Sequence, residues 1–144
     1  MKIKAFSLLE VLIVIIILAV VFAFFAPKML QFINFGEKNQ LKVDFALINS
    51  ALAQNRAKND LLQNSINLNQ LDSARVNIKN EKLFSNILQK DIKSTTTIEK
   101  QSGSWAKVGN KDYIFFTKTQ EYEFSLKDGF FECISQKEIC ENLD

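Results

Sequence analysis

The stretch VLIVIIILAVVFAFFA, residues 11–26, contains no polar side chain, and the rest of the chain is organised around it. Together with residues 6–10 it forms a segment that, as a helix rising about 1.5 Å per residue, is roughly 31 Å long. That length matches the hydrocarbon core of a bilayer, which is about 30 Å thick. The sequence therefore predicts a membrane-spanning helix half over residues 6–27, with a domain outside the lipid behind it.

The flanks of this segment distinguish a permanent anchor from a cleaved secretory signal. A signal peptide has an apolar core of about 7–15 residues, followed by a site with small residues. The run is longer here, and bulky Phe24 occupies a position that needs a small residue. We therefore expect the helix to stay attached. Lys2 and Lys4 favour a cytoplasmic N-terminus. Three lysines beyond the span weaken that preference: Lys28, Lys38 and Lys42.

Glu10 is the one carboxylate in the apolar segment. A charged side chain near the apolar part of a bilayer is costly and tends to mark a function or a partner. One interpretation places Glu10 at the level of the lipid headgroups, one turn in from the water. The other interpretation is that a positive group on another molecule neutralises it.

Residues 4–10, KAFSLLE, and the apolar run behind them resemble the class III leader of type IV pilins and type II secretion pseudopilins. The resemblance implies a leader peptide over residues 1–5 that prepilin peptidase removes between Ala5 and Phe6, with N-methylation of the new Phe6 amine. It also implies that Glu10 pairs with the N-terminal amine of an adjacent subunit. Pro27 matches the proline that such stems carry past the span. Ala5 departs from the usual glycine.

The same resemblance implies a function and a location. It indicates a pseudopilin or minor pilin in a periplasmic filament that serves type II secretion or DNA uptake in transformation. Its partners would be other pilin-like subunits, prepilin peptidase, an inner-membrane assembly platform and membrane lipid. The protein would be a single-pass inner-membrane protein with a cytoplasmic N-terminus and a periplasmic C-terminal domain. The alternative is a single-pass membrane-anchored periplasmic binding domain that acts alone.

Residues 28–58 are predicted to continue the helix as an amphipathic half. Its apolar stripe follows the i, i+4, i+7, i+11 spacing of one helix face. The stripe consists of Leu41, Phe45, Ile48 and Leu52. Four polar residues are expected to point away: Lys38, Lys42, Asn49 and Arg56. Pro27 and Gly36 are predicted kink or bending points, because proline removes a helical hydrogen bond and glycine weakens a helix.

Residues 59–144 are predicted to form a C-terminal domain. Residues 59–80 read as a surface loop region, and residues 82–88 as a short helix capped by Asn80. After Gly103, alternating β-branched and aromatic residues predict a meander of three or four strands, with hairpin turns at residues 109–110 and 127–129. The predicted fold class is α+β and pilin-like: a long N-terminal helix packed on a small antiparallel sheet.

The composition argues against most enzyme classes. The chain has no histidine, which removes the usual general base and the commonest transition-metal ligand. We therefore expect no catalytic residue, no metal site and no cofactor. A net charge of +2 is far from the strongly basic charge typical of nucleic-acid-binding domains, so direct nucleic-acid binding is not predicted. Calcium at the acidic tail is a weaker alternative, since its spacing matches no known calcium loop.

Three further features leave alternatives open. Cys133 and Cys140 read as a disulfide in an oxidising compartment or as two reduced thiols. Basic side chains prevail over residues 28–111 and acidic ones over residues 112–144, which either attracts neighbouring copies or gives two solvated faces. Three aromatic residues on the predicted strands suit a core better than a stacking platform. They are Trp105, Tyr113 and Tyr122.

Overall fold

A computed structural model describes residues 8–62 and 69–143 of the 144-residue chain. The elements, in chain order, are α1 (Leu8–Leu62), β1 (Lys82–Leu83), β2 (Ile92–Lys93), β3 (Ser104–Lys107), β4 (Asp112–Phe116), β5 (Glu121–Lys127), β6 (Phe130–Cys133), α2 (Lys137–Cys140) and a 3-10 turn (Glu141–Leu143). The chain divides into two compact units, and the second begins at Gly36.

The first unit is helical over all of its described residues, 8–35. Its side chains are almost all apolar, so the helix has no hydrophobic face that differs from a polar one. The helical assignment continues through Pro27. A helix that is apolar all round is stable only when lipid or other protein surrounds it.

The second unit packs the later part of α1 on an antiparallel sheet. The sheet is a meander with the strand order β3-β4-β5-β6, and a separate two-stranded ribbon pairs β1 with β2. Asp128 and Gly129 both have positive φ in the hairpin turn between β5 and β6. Such a turn matches the twist of the strands that it joins. The α+β prediction, a long N-terminal helix on a small antiparallel sheet, is therefore confirmed.

The predicted apolar stripe of α1 forms one side of the core. Leu41, Ile48 and Leu52 are fully buried, and Phe45 packs with its ring centroid 5.5 Å from that of Phe124 on β5. The inner face of the sheet is mainly aromatic. Trp105, Tyr113 and Tyr122 are all buried there, so they are core residues, as the sequence favoured.

Polar residues beside the stripe connect α1 to the strands and loops. Glu37 accepts hydrogen bonds from the Ser102 hydroxyl at 2.6 Å and from the Lys118 backbone N–H at 2.9 Å. The Trp105 indole N–H donates to the Asp44 carboxylate at 2.9 Å. Two expectations were wrong here. Arg56 does not point away, because its guanidinium lies 3.9 Å from the centroid of the Phe130 ring on β6. Asn49 does not point away, because its amide bonds the backbone of Phe131 on β6.

The short helix predicted over residues 82–88 is not formed. Lys82 and Leu83 pair as a strand with Lys93 and Ile92, and a single turn follows them. Phe84 has φ 58°, a left-handed conformation that a helix excludes. Its backbone N–H donates to Asp72 instead. The apolar side chains of the segment still pack inward, as expected.

The predicted surface loop over residues 59–80 is also partly wrong. Its first four residues belong to α1, which ends at Leu62, and residues 63–68 lie outside the described part of the chain. Leu71, Asp72 and Ala74 are buried. Asp72 holds this segment against the domain, since its carboxylate accepts hydrogen bonds from two backbone N–H groups and two side chains.

Both outer strands of the sheet are covered. On β6, Phe131 directs its N–H and C=O to Asn49. On β3, the carbonyl of Trp105 accepts from Thr95, and that of Lys107 accepts from Asn77. A covered edge cannot add a strand from another chain. Growth of this sheet by strand addition is therefore blocked at these positions.

Candidate functional site

The most unusual surface of the molecule is the apolar helix segment Leu8–Met29. This segment has 22 residues and a mean hydropathy of 3.2, and none of its described side chains is buried. The exposure of its large apolar side chains runs from 43% at Val21 to 83% at Leu8. Among the described residues it is the one helix long and apolar enough to cross a membrane. A continuous apolar surface of this size indicates contact with lipid or with other chains.

Glu10 lies in the first described turn of α1 and is exposed. Within residues 8–62 and 69–143, its carboxylate has neither a hydrogen bond nor an ion pair. Leu9 and Val11 on either side of it are also exposed. The geometry therefore offers an accessible carboxylate on an otherwise apolar helix, which suits pairing with a cation from outside these residues.

The residues predicted for leader cleavage and methylation, Ala5 and Phe6, lie outside the described residues. Their roles stay predictions. The nearest described position, Leu8, is the first residue of α1 as the structure gives it.

The two predicted kink residues both lie inside α1. Pro27 belongs to the first unit and Gly36 begins the second. A Cβ atom added at Gly36 would have no neighbour within 4 Å. Gly36 is therefore not required for close packing, and a role in bending the helix stays a prediction for both residues.

The C-terminal segment is closed by a disulfide between Cys133 and Cys140. The bond joins the end of β6 to α2 and encloses a loop with a sequence separation of 7. Lys137 and Glu141, four residues apart along the chain, form an exposed ion pair at 3.8 Å. No group of three metal-ligating residues occurs in the part of the chain that the structure describes.

One group of titratable side chains lies inside the second unit, away from its surface. Lys107 Nζ lies 2.7 Å from Asp72 Oδ1, and the Tyr113 hydroxyl donates to Asp72 Oδ2 at 2.9 Å. Burial, together with the nearby Asp72 charge, raises the pKa of Tyr113 far above its ordinary value. All three side chains are buried. A buried and hydrogen-bonded ion pair of this kind stabilises the fold and is not accessible to a substrate.

A groove of about 400 Å³ lies between α1 and residues 87–90, inside the second unit. Its apolar lining comes from Leu47, Ala51, Ile87 and Leu88. Lys58 and Lys90 stand at its rim, and both are exposed. Neither lysine forms an ion pair with a carboxylate of residues 8–62 or 69–143. The groove therefore combines these apolar side chains with uncharged polar ones, among them Ser50 and Gln54, and with two exposed lysines.

Sequence reasoning missed two structural residues, Asp72 and Asn49. Asp72 stands beside Leu71 in a polar segment without a period, so the sequence carries no signal of its burial. Asn49 had a weak signal, since it directly follows Ile48 of the stripe and thus flanks the buried face.

Comparison with protein families gives one match. Residues 1–26 match the model described as the prokaryotic N-terminal methylation motif. The match includes Ala5, Phe6 and Glu10. Neither the comparison with curated proteins nor the one with solved structures gave a match. The motif and the single apolar helix fit a membrane-anchored structural subunit.

Proposed function

We propose that this type IV pilin-like protein is a pseudopilin or minor pilin of a periplasmic filament that serves type II secretion or DNA uptake. One observation carries the proposal. The methylation motif overlaps an apolar helix whose described side chains are exposed and which contains the accessible carboxylate of Glu10. A solitary anchor has no use for that carboxylate, whereas a subunit that packs against others does.

In the proposed storage state, the segment Leu8–Met29 spans the inner membrane and the second unit lies in the periplasm. The apolar side chains then face lipid, which costs no desolvation. Prepilin peptidase removes residues 1–5 and methylates Phe6. The new amine is then two residues before Leu8, the first described residue of α1.

In the proposed filament, the same apolar surface contacts neighbouring helices instead of lipid. Helix association in a membrane rests on close packing and on interhelical polar contacts, because lipid and leucine are equally apolar. A Glu10 carboxylate paired with the amine of the next subunit supplies such a contact. An unpaired Glu10 would be costly once the helices pack, so correct pairing also sets the register between subunits.

The covered edges of the sheet support assembly through α1. The Asn49 side chain hydrogen-bonds both backbone groups of Phe131, and the Thr95 N–H donates to the carbonyl of Trp105. With strand addition blocked at those positions, the apolar helix is the larger available contact surface.

Fractionation of sheared surface and periplasmic filaments tests the proposal. We expect the chain in the high-molecular-mass fraction of cells that contain prepilin peptidase, and only in membranes of cells that lack it. The same distribution in both strains would favour the alternative, an anchored periplasmic binding domain that acts alone.

A further inference from the structure

A small apolar patch of the second unit has no partner within the described residues. Its segments, residues 76–79 and 96–99, lie side by side, since Thr97 N–H donates to the Asn77 side chain at 2.7 Å and Lys79 pairs with Glu99 at 2.8 Å. Three apolar side chains of these segments are exposed, and Ile98 most of all at 87%. They are Val76, Ile78 and Ile98. We name this group the Ile98 patch.

The Ile98 patch is held rigidly. Asn77 has a positive φ and bonds both the backbone and the hydroxyl of Thr97. Lys100 closes the turn through its bond to the carbonyl of Thr96. A large aliphatic side chain on a fixed turn loses little conformational entropy on binding, which favours its use as an anchor.

We propose that the Ile98 patch of one copy docks into the Lys58–Lys90 groove of a second copy. In this contact Ile98 packs against the apolar side chains of the groove, those of Leu47, Ala51 and Ile87. Glu99, the next residue along the chain, meets the two rim lysines. This inference rests on the proposed function, because it names the contact that joins the second units in the filament.

Charge complementarity selects a second copy as the occupant. Among residues 8–62 and 69–143, the two lysines of the groove have no carboxylate partner, and the patch places a carboxylate beside its most exposed apolar side chain. The Lys79–Glu99 pair is exposed on both sides, so it is weak and can be shared with new cations. A partner that presents an aliphatic side chain next to an acidic one can contact both the apolar residues and the lysines of the groove.

The two surfaces also lie at different places along α1. The segment that follows the patch bonds to the start of the second unit, through Ser102 to Glu37 and through Gly103 to Gln40. The groove is formed by later residues of the same helix, from Leu47 to Lys58. A contact between such different surfaces is heterologous, and a heterologous contact that does not close on itself builds an open filament.

Cysteine crosslinking between two differently tagged full-length chains tests this contact. One chain carries I98C and the other carries Q54C, which lies in the groove lining and is exposed. The control pairs I98C with K127C, an exposed site on the β5–β6 hairpin. We expect the I98C–Q54C disulfide at a yield at least tenfold above the control pair. A yield equal to that of the control overturns the contact.

Charge reversal gives an independent readout, because it leaves both crosslinking cysteines and the apolar side chains of the groove unchanged. We expect K58E and K90E on the Q54C chain to lower the crosslink yield at least tenfold. Adding E99K to the I98C chain should restore at least half of it. An unchanged yield after reversal overturns the proposed role of the lysines and with it the docking mode.

Measuring the N-terminus of the same samples separates the two proposals. A processed N-terminus without the crosslink overturns the contact and leaves the proposed function standing. An intact Met1 with the crosslink overturns the proposed function and keeps the contact. An intact Met1 without the crosslink overturns both.

Discussion

The Asn49 side chain on α1 binds both backbone groups of Phe131 on β6, donating to its carbonyl at 3.1 Å and accepting from its N–H at 3.2 Å. One amide thus fills the place that the backbone of another strand would take. The contact joins the helix to the sheet and covers an edge that would otherwise invite pairing with a second chain.

Asn49→Ala removes both bonds and leaves the Phe131 groups without a protein partner. We expect the free energy of unfolding to fall by about 1–3 kcal/mol. Urea unfolding of the full-length protein in detergent, followed by the fluorescence of Trp105, measures the loss. Trp105 is the one tryptophan and is fully buried, so it reports the core directly. Gln54→Ala, exposed on the same helix, is the control, and an equal loss in both variants would contradict the role of Asn49.

Asp72→Asn leaves the buried Lys107 ammonium without its counter-charge. Breaking one side of a buried ion pair costs about 3–5 kcal/mol, and we expect a loss of that size in the same unfolding measurement. The matched control is Glu99→Gln, which breaks the exposed pair with Lys79 and should cost about 1 kcal/mol at most. Similar losses for the two variants would contradict the role of the buried Asp72–Lys107 pair in stabilising the fold.

Asp44 makes stability depend on pH in a defined direction. Burial raises the pKa of the Asp44 carboxyl above its ordinary value, and the Trp105 hydrogen bond opposes this only in part. A raised pKa means that the folded state favours the protonated acid. The contribution of Asp44 to the free energy of unfolding is therefore complete below about pH 4, and it is lost as the pH rises through the pKa of the folded state. Asp44→Asn stays neutral and still accepts from Trp105.

We therefore expect Asp44→Asn to gain stability relative to the unmodified protein between about pH 3 and pH 7. Thermal unfolding of both proteins across this range measures the difference. A difference that stays constant or falls with pH would contradict the direction assigned to Asp44.

Glu10→Gln keeps the shape of the side chain and removes its charge. We expect the protein to stay in the membrane while its share in sheared filaments drops at least about tenfold, the equivalent of about 1.4 kcal/mol. The matched control is Asp60→Asn, which removes an exposed carboxylate near the other end of α1. Filament incorporation of Glu10→Gln at the level of the control would refute the assigned role of Glu10.

Local patterns were enough to predict the parts of the fold that depend on local physics. The spacing of Leu41, Ile48 and Leu52 defined the buried face of α1, and the residues Asp128 and Gly129 marked a hairpin that the structure contains. Phe84 shows where local patterns fail. Its left-handed backbone is held by Asp72, twelve residues away, and no helix periodicity carries information about such a bond.

The candidate site divides in the same way. Composition predicts the apolar helix and marks Glu10 as its one carboxylate, whereas the pairing role of Glu10 comes from the resemblance to pilin leaders. The groove between Leu47 and Lys90 and the exposed position of Ile98 depend on how distant segments meet, so only the structure brings them into view.

Mass spectrometry of the mature N-terminus tests the pilin-like assignment most directly. We predict a chain that begins at Phe6 and carries one methyl group on its amine, in cells that contain prepilin peptidase. Ala5→Gly, which restores the usual residue of such leaders, should give the same product. A chain that retains Met1, or one cut behind the apolar helix, would contradict the proposed processing and the filament role that depends on it.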